Sequence, residues 1–366
     1  MDFTFTEEQQ AVSDLATQIL TDRSAPETLR ALERSGEPRF DRDLWSTLAA
    51  AGLLGIALPE ASGGAGLGLV ELACVLEAAG KTAAAVPLVE TLAFGALPIA
   101  ELASDELAGE WLPRVVSGDA VLTAAWHEEI GDPTAPITVA TTSDDGIRIS
   151  GTKVCVPAGM IADAIVVPAQ FDGDAGLFLV RRDAPGATLT SLETTAGTPD
   201  AHLVLADAPA AVVAIGADAV RRALDLSTAA QCAFVLGTCE GALALTATYT
   251  TDRKQFGQPI ASFQAVGHRA ADAFIDTEAI RLTTWQALWR LGNGMEASAE
   301  VAIAKYWAAM GGQRVVHAAI HLHGGVGVDR DYPLHRFFLA AKQSELQLGG
   351  ATASLLRLGR LIAASA

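Results

Sequence analysis

The sequence predicts a mainly helical protein with an antiparallel β domain in its middle. Residues 1–118 are rich in Ala, Leu and Glu, which are good helix formers. Residues 119–212 change to short apolar runs separated by turn residues, the pattern of a compact antiparallel sheet. Residues 213–366 return to the spacing of helices. We therefore predict three domains with these boundaries, in the order helices, sheet, helices.

Helical spacing is clearest in one segment of each outer domain. Apolar residues of Val70–Gly80 recur at helical intervals, and the final glycine predicts that this helix stops there. The preceding segment, Pro59–Gly66, is rich in glycine and predicts a loop. In the last domain, residues at intervals of three, four and four predict one apolar face of a helix: Phe263, Val266, Ala270 and Phe274.

The middle domain is predicted as strands joined by short turns. Ile137–Thr142 and Ile147–Ser150 flank Asp144-Asp145-Gly146, an arrangement typical of a hairpin. Further short apolar runs predict strands at Ala164–Pro168, Gly176–Val180 and His202–Leu205. The short distances between these runs are the basis for predicting an antiparallel sheet.

Charge distinguishes the last domain from the first two. The chain of 366 residues has a net charge of −18, and half of its residues are hydrophobic. The net charge is −11 for residues 1–118 (18 acids, 7 bases), −9 for 119–212 (13 acids, 4 bases) and +2 for 213–366 (12 acids, 14 bases). The acidic balance excludes a general nucleic-acid binder, which needs a basic face. The apolar composition excludes long-range disorder.

The sequence predicts a cytoplasmic protein that does not span a membrane. The apolar runs Trp45–Pro59 and Thr82–Ala100 are short or interrupted by glycine, proline and glutamate. The first ten residues carry acids where a signal peptide carries Lys or Arg. The cysteines are scattered, which indicates a reducing compartment and supplies no zinc ligand set: Cys74, Cys155, Cys232 and Cys239.

The first candidate site is the segment Asp252–Ile260, which is followed by Ser262-Phe263-Gln264 in the least acidic domain. Arg253 is suited to hold a phosphate with two hydrogen bonds, and Phe256 offers a flat apolar surface beside it. The alternative is an inter-helix loop in which Arg253 pairs with a nearby acid.

The second candidate is His321–Asp329, where glycines follow a predicted helix that includes Tyr306–Ile320. Backbone N–H groups of glycines can approach a pyrophosphate closely, and the alternative is a glycine that caps the helix. His321 and His323 have no third ligand at a suitable spacing, so no metal is expected. The third candidate, Lys342–Gly350, is either a loop that lines a pocket or a simple helix break.

These segments together resemble the acyl-CoA dehydrogenase family over nearly the whole chain. The resemblance is carried by Asp252–Ile260, Ser262-Phe263-Gln264 and His323–Gly327, with support from Leu58–Gly66. It implies an N-terminal helical domain, a middle β domain and a C-terminal four-helix bundle. It also implies FAD-dependent removal of hydrogens from the α and β carbons of an acyl-CoA thioester, with a glutamate that takes the α proton. An electron-transfer flavoprotein is the implied electron acceptor.

In the family, the arginine and phenylalanine of the first motif and the glycine loop contact the FAD of a neighbouring subunit. The resemblance therefore implies a cofactor-binding set in the last domain: Arg253, Gln255, Phe256, Phe263, Gln264, His321, Gly324, Gly325 and Gly327. His321 stands where the family has glutamine. These residues lie in the last domain, whose net charge of +2 favours an anionic cofactor.

The catalytic base of the family has no counterpart at either of its usual positions. Leu348 occupies the position of the usual glutamate, and about Ser227 or Thr228 occupies that of a second subgroup. None of these side chains removes an α proton as a carboxylate does. Glu345 and Glu240 are nearby in the sequence, and we interpret both as structural or solvated.

The middle domain also departs from the family. The family's Thr-Glu-Pro-x-x-Gly-Ser-like loop reads Thr123–Asp132 here, with extra acids that are unfavourable beside a pyrophosphate. A Trp-x-Thr-like strand reads Cys155-Val156-Pro157, in which proline removes a backbone donor. We expect the chain's own flavin site to be damaged and Cys155 to be a small buried thiol.

The retained FAD-contact motifs and the missing base together predict that two different subunits share the active site. The chain resembles the non-catalytic subunit of actinobacterial acyl-CoA dehydrogenases that work as α2β2 heterotetramers, several of them in steroid side-chain degradation. A sister subunit is expected to supply the base, while this chain completes the FAD site. Three alternatives remain: a self-sufficient homotetramer with Glu345 or Glu240 as base, a flavin monooxygenase or nitroalkane oxidase on the same fold, and a scaffold that binds neither flavin nor substrate.

Overall fold

The computed structural model describes residues 4–365, which form two compact units. The helical unit comprises the chain up to Ser35, Leu69–Ala85 and the chain from Thr228 onwards. The sheet unit comprises Gly36–Gly68 and Val86–Ser227. Both units draw on separated parts of the sequence, whereas the three predicted domains are contiguous. The boundaries of those domains stay a prediction.

The secondary structure follows the predicted order of helices, sheet and helices. The helices are α1 (Glu7–Arg23), α2 (Pro26–Arg34), α3 (Arg42–Ala50), α4 (Leu69–Thr82), α5 (Leu97–Leu102), α6 (Asp105–Val116), α7 (Ala217–Asp252), α8 (Gln264–Gly292), α9 (Ser298–His323), α10 (Leu334–Leu346) and α11 (Ala351–Ser365). The strands are β1 (Leu122–Ala124), β2 (Val139–Ser143), β3 (Gly146–Val156), β4 (Ala164–Phe171), β5 (Asp174–Arg181), β6 (Ala187–Ser191), β7 (Ala201–Ile215), β8 (Lys254–Gln255) and β9 (Gln258–Pro259). A π-helical segment, Val89–Ala96, precedes α5.

The helical unit is built on close contacts between long helices. Helices α8 and α9 pack along each other, α10 and α11 pack on α9, and α4 packs on α1 and α8. Helices α4 and α7 meet backbone to backbone, because a Cβ atom on Gly80 would lie 2.0 Å from the carbonyl oxygen of Phe234. The prediction that the helix over Val70–Gly80 stops at its final glycine is therefore wrong. The helix continues to Thr82, and the glycine allows the close approach instead of ending the helix.

The apolar residues predicted along one face of α8 do not form the face that packs into the bundle. Phe274 is 56% exposed, and Phe263, Val266 and Ala270 are only half-buried. The buried face is rotated around the helix and includes Ile280 and other residues of mixed polarity: Ala273, Asp276, Thr277, Thr284, Ala287, Leu288 and Leu291. Hydrophobic spacing thus identified the helix but not its buried side.

Among the described residues, α7 is long and apolar enough to cross a membrane by length and composition alone. However, 72% of its most apolar window of 18 residues is buried within the protein. Core helices of globular proteins pass the same test, because a helix that is apolar all round is equally suited to a protein interior.

The sheet unit confirms the middle β domain and adds parallel pairings that the sequence did not predict. Strand β3 pairs antiparallel with β2 and β7, and β5 pairs antiparallel with β4 and β7. Strand β4 pairs in parallel with β1 and, at one position, with β2. The pairings β4–β2–β3–β7–β5–β4 close into a ring. Strands β1 and β6 were not predicted, because each is short and has no pronounced apolar alternation.

Candidate functional site

The first motif folds into a small hairpin that follows α7 directly. Strands β8 and β9 pair antiparallel, and the backbone N–H of Ile260 donates to the carbonyl of Arg253 at 2.8 Å. The turn between the strands consists of Phe256 and Gly257, with φ values of +53° and +82°. Positive φ at both central residues is the geometry of a type I′ turn, which favours Asn or Gly at the first position.

Phe256 is thus a phenylalanine in a conformation that costs it stability. A positive φ is unfavourable for a residue with a bulky side chain. The ring is 93% exposed and makes an edge contact with Phe263, with ring centroids 6.2 Å apart. Neither hydrophobic burial nor backbone geometry explains this residue. Such strain in a surface aromatic is typical of a group that contacts a ligand or another chain.

Replacing Phe256 by asparagine is expected to stabilise the isolated chain by about 1 kcal/mol, because asparagine tolerates a positive φ. Urea unfolding, with the free energy of unfolding extrapolated to water, measures the change. The matched control is Phe274→Asn, which removes an exposed aromatic ring from helix α8 and is expected to destabilise the chain slightly through helix propensity. A destabilised Phe256→Asn variant would contradict the strain argument.

The side chain of Arg253 has no ion-pair partner among the residues that the structure describes. Its side chain is exposed, and no carboxylate in residues 4–365 forms a salt bridge with it. The alternative of an inter-helix loop whose arginine pairs with a nearby acid therefore does not hold. Arg253 lines a cavity of about 330 Å³ together with residues of α7 and one residue beyond α9: Leu245, Thr248, Tyr249, Asp252 and Tyr332. The guanidinium is available to an anionic group from outside the chain.

The glycine loop begins where α9 ends at His323, as the sequence predicts, and forms a short 3₁₀ turn over Gly324–Val328. Gly324 has φ +64° and ψ −142°, a conformation nearly restricted to glycine. A Cβ atom on Gly327 would lie 3.0 Å from the carbonyl oxygen of Ile320. Gly325 has neither constraint: its φ is ordinary and no atom lies within 4 Å of the Cβ position. A helix cap explains Gly324 but not Gly325, whose open face suits close approach by a ligand.

The residues of the predicted cofactor set differ in exposure. Phe263 is half-buried, Gly327 is buried, and the others are exposed: Arg253, Gln255, Phe256, Gln264, His321, Gly324 and Gly325. The structure brings Phe256 onto Phe263, and the side chain of Gln255 donates to the carbonyl of Lys254 at 2.7 Å. The roles of the set toward a cofactor stay a prediction.

At the position predicted for the usual base, the structure has a leucine in a strained loop. Leu348 lies between α10 and α11 with a φ of +59° and is half-buried. The side-chain amide of Gln231 donates to that of Gln347, next to Leu348. Lys305 is buried and donates to the carbonyl of Ser344 at 2.6 Å, and burial lowers the pKa of Lys305 to about 8. A side-chain amide and a buried lysine thus hold the residues that precede Leu348.

The two nearby glutamates are each engaged by cations. Glu345 accepts from Lys342 at 2.5 Å within α10. Glu240 pairs with Arg281 and lies 3.5 Å from Lys81. Burial and the neighbouring Glu240 raise the pKa of Glu77 to about 8, so these two carboxyl groups and Arg281 form one charge cluster. These contacts support the structural interpretation of Glu345 and Glu240.

In the sheet unit, the departures from the family have structural causes of their own. Glu128 accepts from the backbone N–H groups of Ile137 at 2.7 Å and Thr138 at 2.8 Å, and from buried Lys153 at 2.9 Å. Although burial opposes it, these hydrogen bonds hold the pKa of Glu128 below its ordinary value. This acid therefore organises its own loop.

The prediction that Cys155 is a buried thiol is wrong. Cys155 is exposed and has a φ of +50°, at a register shift of β3 against β7 between Lys153 and Val156. The irregularity turns the side chain outward. Partial burial and the charge of Asp200 raise its pKa, which disfavours the thiolate that a nucleophile needs.

Comparison with known proteins identifies the fold that carries these features. The profile "Acyl-CoA dehydrogenase, N-terminal domain" matches residues 6–119, and "Acyl-CoA dehydrogenase, C-terminal domain" matches residues 215–360. The chain belongs to the acyl-CoA dehydrogenase family. Members of this family are FAD-dependent oxidoreductases that act on CH–CH bonds, so the expectations of fold, reaction class and family cofactor are confirmed at that level.

This member of the family is similar to several known proteins over nearly its whole length. It is 45% identical to acyl-CoA dehydrogenase FadE27 of Mycobacterium tuberculosis, over 99% of both chains. It superimposes with a TM-score of 0.94 on a chain of the ChsE4-ChsE5 complex from the same organism, at 44% identity and 99% coverage of both chains. It superimposes equally well on the Tcur3481-Tcur3483 steroid acyl-CoA dehydrogenase G363A variant, with 46% identity and 98% coverage of both chains.

Several residues of the site were not singled out by the sequence. The sequence patterns did not indicate Tyr249 or Tyr332, and they indicated His323 only as part of the motif His323–Gly327 and as one of two histidines without a third metal ligand. The signal that was available for Tyr249 is its position one helical turn before Arg253. No sequence signal joins Tyr332 to Tyr249, because the two residues lie 83 positions apart in the chain.

Proposed function

We propose that this chain is the subunit without a catalytic base in a heteromeric, FAD-dependent acyl-CoA dehydrogenase, and that it completes the FAD site of a sister subunit. The observation that carries the proposal is the contrast between two parts of the helical unit. Arg253 and Gly325 present an unpartnered cation and an open backbone to the outside. The base position holds Leu348, and Glu345 and Glu240 are neutralised by cations.

The exposed residues fit the anionic part of FAD. The guanidinium of Arg253 would hold a phosphate by charge-assisted hydrogen bonds. The backbone at Gly324 and Gly325 would approach the cofactor without obstruction by a side chain, and Phe256 would cover it with an apolar ring. When bound, FAD supplies the acceptor for the hydride that leaves the β carbon of the acyl-CoA. The chain's own contribution is to bind and orient the cofactor, while a carboxylate of the sister subunit takes the α proton.

The names of the relatives support a heteromer that acts on a steroid substrate. One is a complex of ChsE4 and ChsE5, and the other is a steroid acyl-CoA dehydrogenase, Tcur3481-Tcur3483. We infer a 2:2 heterotetramer in the cytoplasm, with a steroid side-chain CoA thioester as substrate and an electron-transfer flavoprotein as acceptor. A self-sufficient homotetramer is the less favoured function, because it requires a glutamate that the structure places in an ion pair.

Expression alone and with a sister acyl-CoA dehydrogenase tests the proposal. The sister subunit is chosen to retain a glutamate at the usual base position. We expect the isolated chain to be free of flavin and inactive, and the co-expressed pair to be yellow, to have a 2:2 mass and to oxidise an acyl-CoA. Light scattering, the flavin absorbance and a dye-reduction assay measure these properties. A yellow, active homotetramer of the isolated chain would overturn the proposal.

A further inference from the structure

We propose that Tyr249, His323 and Tyr332 form a hydrogen-bonded aromatic cluster that positions Arg253 and the glycine loop as one rigid surface. The inference rests on the proposed function, because it assigns these residues a role toward the FAD of the sister subunit. Tyr249 lies on α7, His323 is the last residue of α9, and Tyr332 follows the glycine loop. All three belong to the helical unit.

The rings pack against one another in a compact arrangement. The rings of Tyr249 and His323 are stacked, with centroids 4.3 Å apart and an interplanar angle of 21°. The ring of Tyr332 lies 5.2 Å from that of His323 and 6.2 Å from that of Tyr249. His323 is buried, and its ring packs against both tyrosine rings. Packed aromatic groups of this kind stabilise one another beyond the effect of burial.

Hydrogen bonds set the orientation and the tautomer of His323. Its Nδ1 lies 2.8 Å from the carbonyl oxygen of Ala319, which only accepts, so Nδ1 carries the proton. Burial lowers the pKa of His323, which favours the neutral ring. The unprotonated Nε2 therefore accepts from the hydroxyl of Tyr332 at 3.1 Å. The hydroxyl of Tyr249 donates to the backbone carbonyl of His323 at 3.3 Å.

These bonds join the two predicted FAD-contact segments. His323 and Tyr332 stand at the two ends of the glycine loop, so the bond from Tyr332 to Nε2 closes that loop. The backbone N–H of Arg253 donates to the carbonyl of Tyr249 at 2.8 Å, which ties the start of the hairpin to the same cluster. Arg253 and Tyr332 also line the same cavity. The cluster thus holds the arginine and the loop in a fixed relation before a ligand binds, which lowers the entropic cost of binding.

Removal of single hydroxyl groups tests this positioning role. In the assembled heteromer, Tyr332→Phe keeps the ring but removes its bond to His323, and Tyr249→Phe removes the bond to the end of α9. Each is expected to weaken FAD binding by about tenfold, which corresponds to about 1.4 kcal/mol. The matched control is Tyr306→Phe on α9, whose ring contacts Trp307 outside the cluster. It is expected to leave the Kd of FAD within twofold. Titration of the flavin-free complex with FAD, followed by quenching of flavin fluorescence, gives the Kd.

A double-mutant cycle distinguishes positioning from a purely structural role. If the cluster holds Arg253 and the glycine loop in one fixed relation, then Tyr332→Phe will weaken FAD binding less in the Arg253→Ala background than in the wild-type background. Additive losses, or unchanged Kd values for both tyrosine variants, would overturn the inference. If Arg253→Ala leaves the Kd unchanged, the proposed function itself fails. The two failures are therefore distinguishable.

Discussion

Replacing Arg253 by alanine is expected to weaken FAD binding to the assembled heteromer by ten- to a hundredfold. A charge-assisted hydrogen bond contributes about 1.5–3 kcal/mol, and the exposed side chain of Arg253 has no ion-pair partner within residues 4–365. The free energy of unfolding of the isolated chain should therefore not change. Fluorescence titration of the flavin-free complex gives the Kd, and urea unfolding of the isolated chain gives the stability.

The neighbouring residue provides a matched control for net charge. Lys254→Ala removes one positive charge at an exposed position of the same hairpin. It is expected to change the Kd by less than threefold, because an exposed charge at a distance is screened by salt. Arg253→Lys should lie between the wild type and alanine, since lysine keeps the charge but not the paired donors. Equal effects of Arg253→Ala and Lys254→Ala would show that only net charge matters.

Replacing Gly325 by valine is expected to weaken FAD binding at least tenfold without destabilising the isolated chain. Apart from the neighbouring residues in the chain, no atom lies within 4 Å of the Cβ position, and φ is ordinary, so the loop itself has room for a Cβ atom there. A loss of affinity can then arise only from a ligand or another subunit that approaches the backbone. The Kd of FAD in the heteromer and the midpoint of urea unfolding of the isolated chain are the two measurements.

Variants at Gly324 and Gly327 serve as controls that distinguish a contact with the cofactor from backbone strain or steric overlap within the chain. Gly324 has a combination of φ and ψ that is nearly restricted to glycine. Gly324→Ala should therefore destabilise the isolated chain by about 1–3 kcal/mol. Gly327→Ala brings a Cβ atom within 3.0 Å of the carbonyl of Ile320, so it should destabilise as well. If Gly325→Val also unfolds the isolated chain, or if it binds FAD normally, then Gly325 does not face the cofactor.

Local signals in the sequence predicted the architecture and the motifs. The order of helices and strands follows from hydrophobic spacing, which neighbouring residues determine. The end of α9 at His323 follows from the glycines after it, and the lack of a carboxylate at Leu348 follows from residue identity alone. These features depend on few residues that are close in the chain, so tertiary contacts did not override them.

Long-range contacts overrode local signals in several places. The sequence predicts a helix end at Gly80, but α4 continues to Thr82. The glycine instead allows close contact with the backbone of Phe234. The spacing around Phe274 indicates a buried face, but packing of α8 against α4 and α9 buries a different one. The sequence predicts that Cys155 is a buried thiol, but a register shift of β3 against β7 exposes its side chain. Pairing partners distant in sequence decided each of these.

The sequence by itself determined the family, the order of the elements, and which chemical groups the chain has and lacks. Only the tertiary structure decided how those groups are used. Among the described residues it gives the side chain of Arg253 no ion-pair partner, and it leaves the Cβ position of Gly325 open. It also places Glu240 and Glu345 in ion pairs, and joins Tyr249 to Tyr332 through His323. The physical reason is that residue type sets what a side chain can do, whereas burial, charge partners and hydrogen bonds come from residues far away in the chain.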